Sequence, residues 1–220
     1  MKRLSTVAAA GALAAAVLLT PAAAQADTLT LPLTEAVAAL PAVTEDRTGY
    51  QRDAFRHWVD ADRDGCNTRN EVLIEEAVVA PVVDARCQLQ GGEWYSYYDG
   101  VTHTVARGLD IDHVVPLAEA WDSGASAWDD DRRRDYANDL GDQRSLVAVT
   151  ASVNRSKADQ DPADWLPPSS EVHCRYIGEW VAVKLRWGLA ADPAEQDALT
   201  AVAAACDPAE VVEVTEVPAA

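Results

Sequence analysis

The chain has 220 residues, of which 36 are acidic and 18 are basic, so its formal net charge is −18 at neutral pH. This acidity argues against a protein that adheres to nucleic acid or membranes through a broad basic face. The length suits one domain with a sizeable core, and the patterns below favour an α+β fold with a small sheet among several helices.

The first 26 residues have the organisation of a secretory signal peptide. Lys2 and Arg3 form a basic start, an apolar, alanine-rich run follows, and Ala24-Gln25-Ala26 suits cleavage. The apolar run is short for a membrane span, and no later segment is apolar for long enough to cross a bilayer. Loss of this segment would change the formal charge from −18 to −20. We therefore predict a secreted, extracellular protein, monomeric and without a membrane anchor.

The mature chain divides into a lead-in segment at 27–49, a main domain at 50–207 and a flexible tail at 208–220. Apolar spacing predicts helices at 34–40, 50–59, 70–80 and 171–189, and helix or ordered loop at 118–128 and 130–140. Strands are expected at 109–117 and on both sides of an Asp-Gly turn within 91–105. A further apolar run at 146–149 leads into a polar segment with helical character that ends at Lys157.

An acidic loop lies between two of the predicted helices. Asp60, Asp62 and Asp64 alternate with other residues, Gly65 follows, and Glu71 closes a pattern that fits a calcium-binding loop. Cys66 and Arg69 inside the loop are unfavourable, and there is no second loop to pair with it. The alternative is a structural acidic turn that does not bind Ca²⁺.

Four cysteines, an even number in an exported chain, predict two disulfides. Of the three possible connectivities, we predict Cys66–Cys87 with Cys174–Cys206, since this pairing closes two modest loops. A zinc site is the weaker interpretation because the chain contains no Cys-x-x-Cys pair.

Asp112 and His113 stand side by side at the end of the predicted strand at 109–117, and Asn154 and Lys157 lie one helical turn apart some forty residues later. A carboxylate for a hard cation, an imidazole able to take a proton near neutral pH and a second oxygen ligand form a set suited to cutting a phosphodiester. An isolated Asp-His pair is more often a histidine held by a carboxylate in the core. The basic residues at 132–134 and Arg155, Lys157, Lys184 and Arg186 could supply a local basic strip.

These residues resemble the signature of the HNH endonucleases. Asp112-His113-Val114-Val115-Pro116-Leu117 matches its opening, and Asn154-Arg155-Ser156-Lys157 matches its closing helix. The resemblance is closer to one secreted branch, related to the C-terminal domain of the GmrSD restriction endonucleases, and covers roughly residues 50 to 206. The segments that carry it are Leu109–Trp121, Tyr136–Leu140, Leu146–Thr150, Asn154–Lys157 and Asp161–Pro168.

The resemblance implies a ββα-metal core (HNH or His-Me finger) with additional helices and a nucleic-acid substrate, DNA before RNA. Asp112 and Asn154 would hold Mg²⁺ or another divalent cation, and His113 would activate the attacking water. Lys157 could face the same phosphate. One position departs from the pattern: Ser145 stands near the usual place of the middle Asn, so Ser145, the displaced Asn138 or a backbone carbonyl must orient the histidine. The rival hypothesis is an extracellular calcium-binding or structural protein on a degenerate HNH-like core.

Overall fold

The structure, a computed structural model, describes residues 28–218, so the predicted signal peptide lies outside the described residues. The described residues form a mixed α+β fold whose strands pair in four separate two-stranded antiparallel sheets. The strands are β1 (Thr28–Pro32), β2 (Val82–Val83), β3 (Leu89–Gln90), β4 (Trp94–Ser96), β5 (Val101–His103), β6 (Leu109–His113), β7 (Leu146–Thr150) and β8 (Val211–Thr215). The helices are α1 (Leu33–Ala38), α2 (Thr68–Glu75), α3 (Leu117–Asp122), α4 (Asp130–Ala137), α5 (Ala151–Lys157), α6 (His173–Trp187) and α7 (Pro193–Ala203).

Helix α6 is the centre of the main core. Its apolar residues recur at helical spacing, and Tyr176, Ile177 and Trp180 are fully buried in a core that also includes residues of α1, α3, α4, α7, β7 and β8. The helix ends at Gly188, whose φ of +66° gives the left-handed conformation that terminates helices. None of the helices within residues 28–218 is both long and apolar enough to span a bilayer.

Strands β6 and β7 pair with Asp112 opposite Val147 and His113 opposite Leu146. Four of the five β7 residues are buried, which accounts for its continuous apolar run. Helix α5 begins at Ala151, directly after β7, and packs against both strands. Two antiparallel strands and a helix therefore bring the end of β6 next to α5.

The two ends of the described chain pair with each other, which the sequence analysis did not predict. Strand β1 pairs with β8, with Thr28 opposite Thr215, and Val212 and Val214 of β8 are buried. The prediction of a flexible tail is therefore wrong for Val211–Thr215. The predicted lead-in segment likewise contributes Leu33 and Val37 of α1 to the main core.

The predicted helix at 50–59 is also wrong, because only a 3₁₀ turn at Arg52–Ala54 forms there. Phe55 is fully buried against Trp121 and Tyr136. Trp58 has a φ of +58°, which a right-handed helix does not allow. The apolar spacing in this segment thus reflects packing between distant parts of the chain.

Both predicted disulfides are confirmed. Cys66 pairs with Cys87 and Cys174 pairs with Cys206, with Cα–Cα distances of 5.2 and 5.7 Å. The first bond joins the acidic loop to the segment before β3. The second joins α6 to the segment that follows α7. By loop closure each is worth about 2–4 kcal/mol of folding free energy.

Candidate active site

A cleft of about 320 Å³, here called the His113 cleft, opens where the end of β6 meets α5. Asp112 and His113 line it from β6, and Asn154 lines it from α5. The structure therefore brings together the three residues predicted to carry the chemistry. The cleft is also lined by Arg155 of α5 and by Tyr50 and Arg52, which belong to the segment before Phe55.

The Asp112 side chain is held by two donors behind the cleft. Its Oδ2 accepts hydrogen bonds from Tyr98 Oη and Lys157 Nζ, both at 2.6 Å. Burial raises the pKa of Asp112, and the charge of Lys157 opposes that rise. Oδ1 accepts no hydrogen bond from residues 28–218, which leaves this oxygen available to a ligand in the cleft.

Lys157 does not face the cleft, so its predicted position beside the phosphate is wrong. Its side chain is completely buried, and Nζ donates to His113 O at 2.9 Å as well as to Asp112. Burial lowers the pKa of Lys157, against the opposing charge of Asp112. Lys157, one helical turn from Asn154, points into the core toward β6, where both of its acceptors lie.

The His113 ring is fixed on several sides. Its Nε2 lies 3.0 Å from Ala137 O, and because a carbonyl can only accept, the proton of the neutral ring resides on Nε2. The centroid of the ring lies 5.5 Å from that of Trp58, with 31° between the ring planes. It lies 6.4 Å from the centroid of Tyr136, with 19° between the planes. Burial lowers the pKa of His113 to about 3, so the ring is neutral at physiological pH. Nδ1 has no hydrogen-bond partner within the described residues and carries a free lone pair.

Neither side chain predicted to orient His113 does so. Asn138 instead donates to Arg56 O and accepts from Val59 N and Thr68 Oγ1, which ties the segment before α2 to the end of α4. Ser145 donates to Asp139. The third alternative, a backbone carbonyl, is confirmed, since Ala137 O holds the ring.

Two residues of the site were not found by sequence reasoning. Tyr98 belongs to an aromatic run typical of a strand, and nothing in that run indicates that its hydroxyl reaches Asp112. Trp58 is held with positive φ, an uncommon conformation for a bulky residue and one that clusters at functional sites. Its place beside His113 depends on contacts distant in sequence.

The predicted basic strip is wrong. Lys157 and Lys184 are completely buried, and Arg186 pairs with Asp139. In the run at 132–134, the first arginine donates to backbone carbonyls near the C-terminus, the second pairs with Asp130, and the third pairs with Asp131 and Asp135. Of the residues proposed for the strip, only Arg155 lines the His113 cleft.

The acidic loop is exposed and lies outside the His113 cleft. Oxygen atoms of Asp60, Asp62 and Asp64 lie within 4.8 Å of one another, and Gly65 N donates to Asp60 Oδ2 at 3.1 Å. Gly65 has a φ of +99°, a conformation that favours glycine. Glu71 lies in the first turn of α2, and its Oε2 is enclosed without a hydrogen-bond partner within the described residues. Burial, and then the three aspartates, raise the pKa of Glu71.

Comparison with known proteins places this fold in a family. The model of the C-terminal domain of GmrSD restriction endonucleases matches residues 82–202, more than half of the chain. The chain belongs to this family. The matched region contains β6, β7 and α5, so the His113 cleft is built mainly from a nuclease-related domain.

The chain also has a relative of similar sequence. The chain is 44% identical over 158 residues to an uncharacterized secreted protein of Arthroderma benhamiae, an alignment that covers 72% of this chain and 76% of the relative. No solved structure matches the chain. The family and this relative are therefore the comparisons on which the functional argument rests.

Proposed function

We propose that this protein is a secreted, divalent-metal-dependent endonuclease of the HNH type with a ββα-metal core, which hydrolyses phosphodiester bonds of DNA. The observation that carries the proposal is the meeting of Asp112, His113 and Asn154 in one cleft of a nuclease-related domain. The two disulfides and the secreted relative support an oxidising, extracellular location.

The donor set of the cleft fits a hard divalent cation such as Mg²⁺. Asp112 Oδ1 and the Asn154 carboxamide offer oxygen ligands of the kind that Mg²⁺ prefers, and neither side chain group is occupied by a hydrogen bond from residues 28–218. When bound, the cation would polarise the scissile phosphate and stabilise negative charge on the leaving oxygen. Lys157 and Tyr98 hold Asp112 by its other oxygen, Oδ2, which leaves Oδ1 free of protein hydrogen bonds for the cation.

His113 acts as the general base in this proposal. Nε2–H is committed to Ala137 O, so the lone pair on Nδ1 takes a proton from water. The oxygen of that water attacks phosphorus, the bond from phosphorus to the leaving oxygen breaks, and the leaving oxygen takes a proton from solvent. An anionic phosphate beside the ring raises the pKa of His113 and so favours this proton transfer.

Plasmid digestion by protein purified from an oxidising compartment tests the proposal. We expect cleavage with Mg²⁺ or Mn²⁺ and none with EDTA. Asp112→Ala and Asn154→Ala should weaken metal binding in calorimetry, and their cleavage defects should ease partly at high metal concentration. Unchanged metal affinity in both variants would overturn the ligand assignment.

We also propose that the acidic loop at Asp60–Glu71 binds Ca²⁺, which would stabilise the fold without taking part in cleavage. The favouring observation is the enclosed, unpartnered Oε2 of Glu71 beside three clustered aspartates. These carboxylates repel one another, and a bound cation would remove that repulsion. The loop lacks the predicted helix on its N-terminal side, so the proposed site rests on one helix, α2, and the Cys66–Cys87 bond.

Thermal unfolding with and without Ca²⁺ tests the loop. Calcium should raise Tm by mass action on the folded state, and the increase should vanish in Asp62→Asn/Asp64→Asn while cleavage with Mg²⁺ persists. A Tm that does not respond to Ca²⁺ in the wild type would leave the loop as a disulfide-anchored acidic turn. Lost cleavage in a folded double variant would place the loop in the catalytic machinery.

A further inference from the structure

Most arginines within residues 28–218 are already engaged by carboxylates or backbone carbonyls. Arg47, Arg144 and Arg186 pair with aspartates, and Arg132 donates to backbone carbonyls near the C-terminus. An arginine with no ion pair, or with only a weak exposed one, is therefore informative when it lies in a functional cleft. Two residues of the His113 cleft are candidates, Arg52 and Arg155.

Arg52 enters the cleft from the 3₁₀ turn before Phe55. Its guanidinium makes no ion pair within residues 28–218, and it lines the same cleft as His113. The turn is firmly held, because Phe55 is fully buried against Tyr136, the ring that also stacks on His113. Arg52 is therefore positioned by the same aromatic cluster that positions the proposed base.

Arg155 enters the cleft from α5, directly after Asn154. Its side chain is 73% exposed, and its one carboxylate partner within the described residues is Asp110, at 3.3 Å. This exposed pair is weak and can be exchanged for another anion. The remaining acidic residue of the cleft, Asp159, is 3.2 Å from Arg47 Nη1, so its charge is partly neutralised.

We propose that Arg52 and Arg155 bind backbone phosphates of the nucleic acid on either side of the scissile phosphodiester. A guanidinium presents several donors in a plane and matches phosphate oxygens in pairs. The two arginines come from separate segments, the turn at Arg52–Ala54 and helix α5, while Asp112 and His113 come from β6. Binding of this kind reads the sugar-phosphate backbone and gives no base specificity.

This inference rests on the proposed nuclease function, so its test measures binding separately from cleavage. Fluorescence anisotropy of a labelled DNA oligonucleotide would be followed with Mg²⁺ over a range of salt concentrations, in His113→Ala protein so that the strand stays intact. Arg52→Gln and Arg155→Gln should each weaken binding about five- to tenfold. Each should also reduce the steepness of log K against log salt by about 0.7–0.9, the contribution of one phosphate contact.

Arg86→Gln is the matched control, because Arg86 is an exposed arginine that does not line the cleft. It should leave both affinity and salt slope unchanged. Arg52→Lys should recover part of the affinity, since it restores charge without the planar donors. Wild-type affinity and slope in Arg52→Gln and Arg155→Gln, or losses no larger than in Arg86→Gln, would overturn the proposal. Arginine-dependent binding by a wild-type protein that cleaves nothing would keep this proposal and refute the nuclease function.

Discussion

Two completely buried lysines lie near the ring of Trp180, and their surroundings differ. Lys157 Nζ is 5.9 Å from the Trp180 ring and Lys184 Nζ is 5.5 Å from it. Lys184 is enclosed by Glu119, Glu195, Ser123 and Ala190 O, all within 3.0 Å. Lys157 has two acceptors, and its carboxylate partner borders the His113 cleft. A buried lysine–carboxylate pair can thus stabilise the core alone or also hold a carboxylate at a cleft. The difference lies in whether the carboxylate borders the cleft.

The largest effect on folding is expected at Lys184. Lys184→Met leaves Glu119 and Glu195 buried side by side without a cation, which should cost about 3–5 kcal/mol of unfolding free energy. Urea unfolding would measure this loss. The cleavage rate per folded molecule should be unchanged, because Lys184 lies outside the His113 cleft. A loss below about 1 kcal/mol would contradict the structural role given to this centre.

For Lys157→Met, the same side-chain change, we expect the opposite balance: a large loss of cleavage and a smaller loss of stability. We expect kcat for DNA cleavage to fall at least about 100-fold with KM little changed, because Asp112 loses the donor that orients it. The stability loss should be smaller than at Lys184, about 1–3 kcal/mol, since Asp112 keeps the Tyr98 bond. Equal kcat in the two methionine variants would remove the distinction between the centres.

Tyr98→Phe should give an intermediate cleavage defect, because it removes one of the two donors to Asp112 Oδ2. The lost hydrogen bond to a charged acceptor should cost about 1.5–3 kcal/mol of unfolding free energy, measured in urea. Cleavage should fall about tenfold, which is less than in Lys157→Met. If Tyr98→Phe lowers kcat more than Lys157→Met does, Lys157 is not the main positioning residue.

Glu76 is a half-buried carboxylate with no lysine partner within the described residues, and the smallest effect is expected there. Burial raises its pKa to about 7, although Ala148 N donates to Oε2. Between pH 4.5 and about 7 the folded state binds the extra proton, so Glu76 lowers stability as pH rises through this window. Glu76→Gln should therefore stabilise the protein by about 1–2 kcal/mol at pH 8 and little at pH 5. Thermal unfolding at the two pH values would measure the difference, and equal effects would contradict the raised pKa.

Local patterns predicted most of the unit that carries the site. The run before His113 predicted a strand, and the apolar run at 146–149 was expected to lead into a helical segment. The structure has β6 and α5 at these places, and the second apolar run forms strand β7. The even number of cysteines and their spacing predicted both disulfides. These features depend on residues that are neighbours in sequence or on a simple count.

Features set by distant contacts could not be predicted in this way. The β1–β8 pairing joins Thr28 to Thr215, and no local period records it. Lys157 could have faced solvent or core on helix geometry alone, and packing over β6 decided its direction. Trp58 adopts a positive φ that its residue type disfavours, held by tertiary contacts beside His113.

In the proposed mechanism His113 takes the proton from water and does not hold the cation. The most direct test is the rate of plasmid cleavage by His113→Ala in Mg²⁺, with metal affinity and fold checked on the same sample. We predict that cleavage is abolished while metal affinity and Tm remain close to those of the wild type. Full cleavage by this variant would contradict the account.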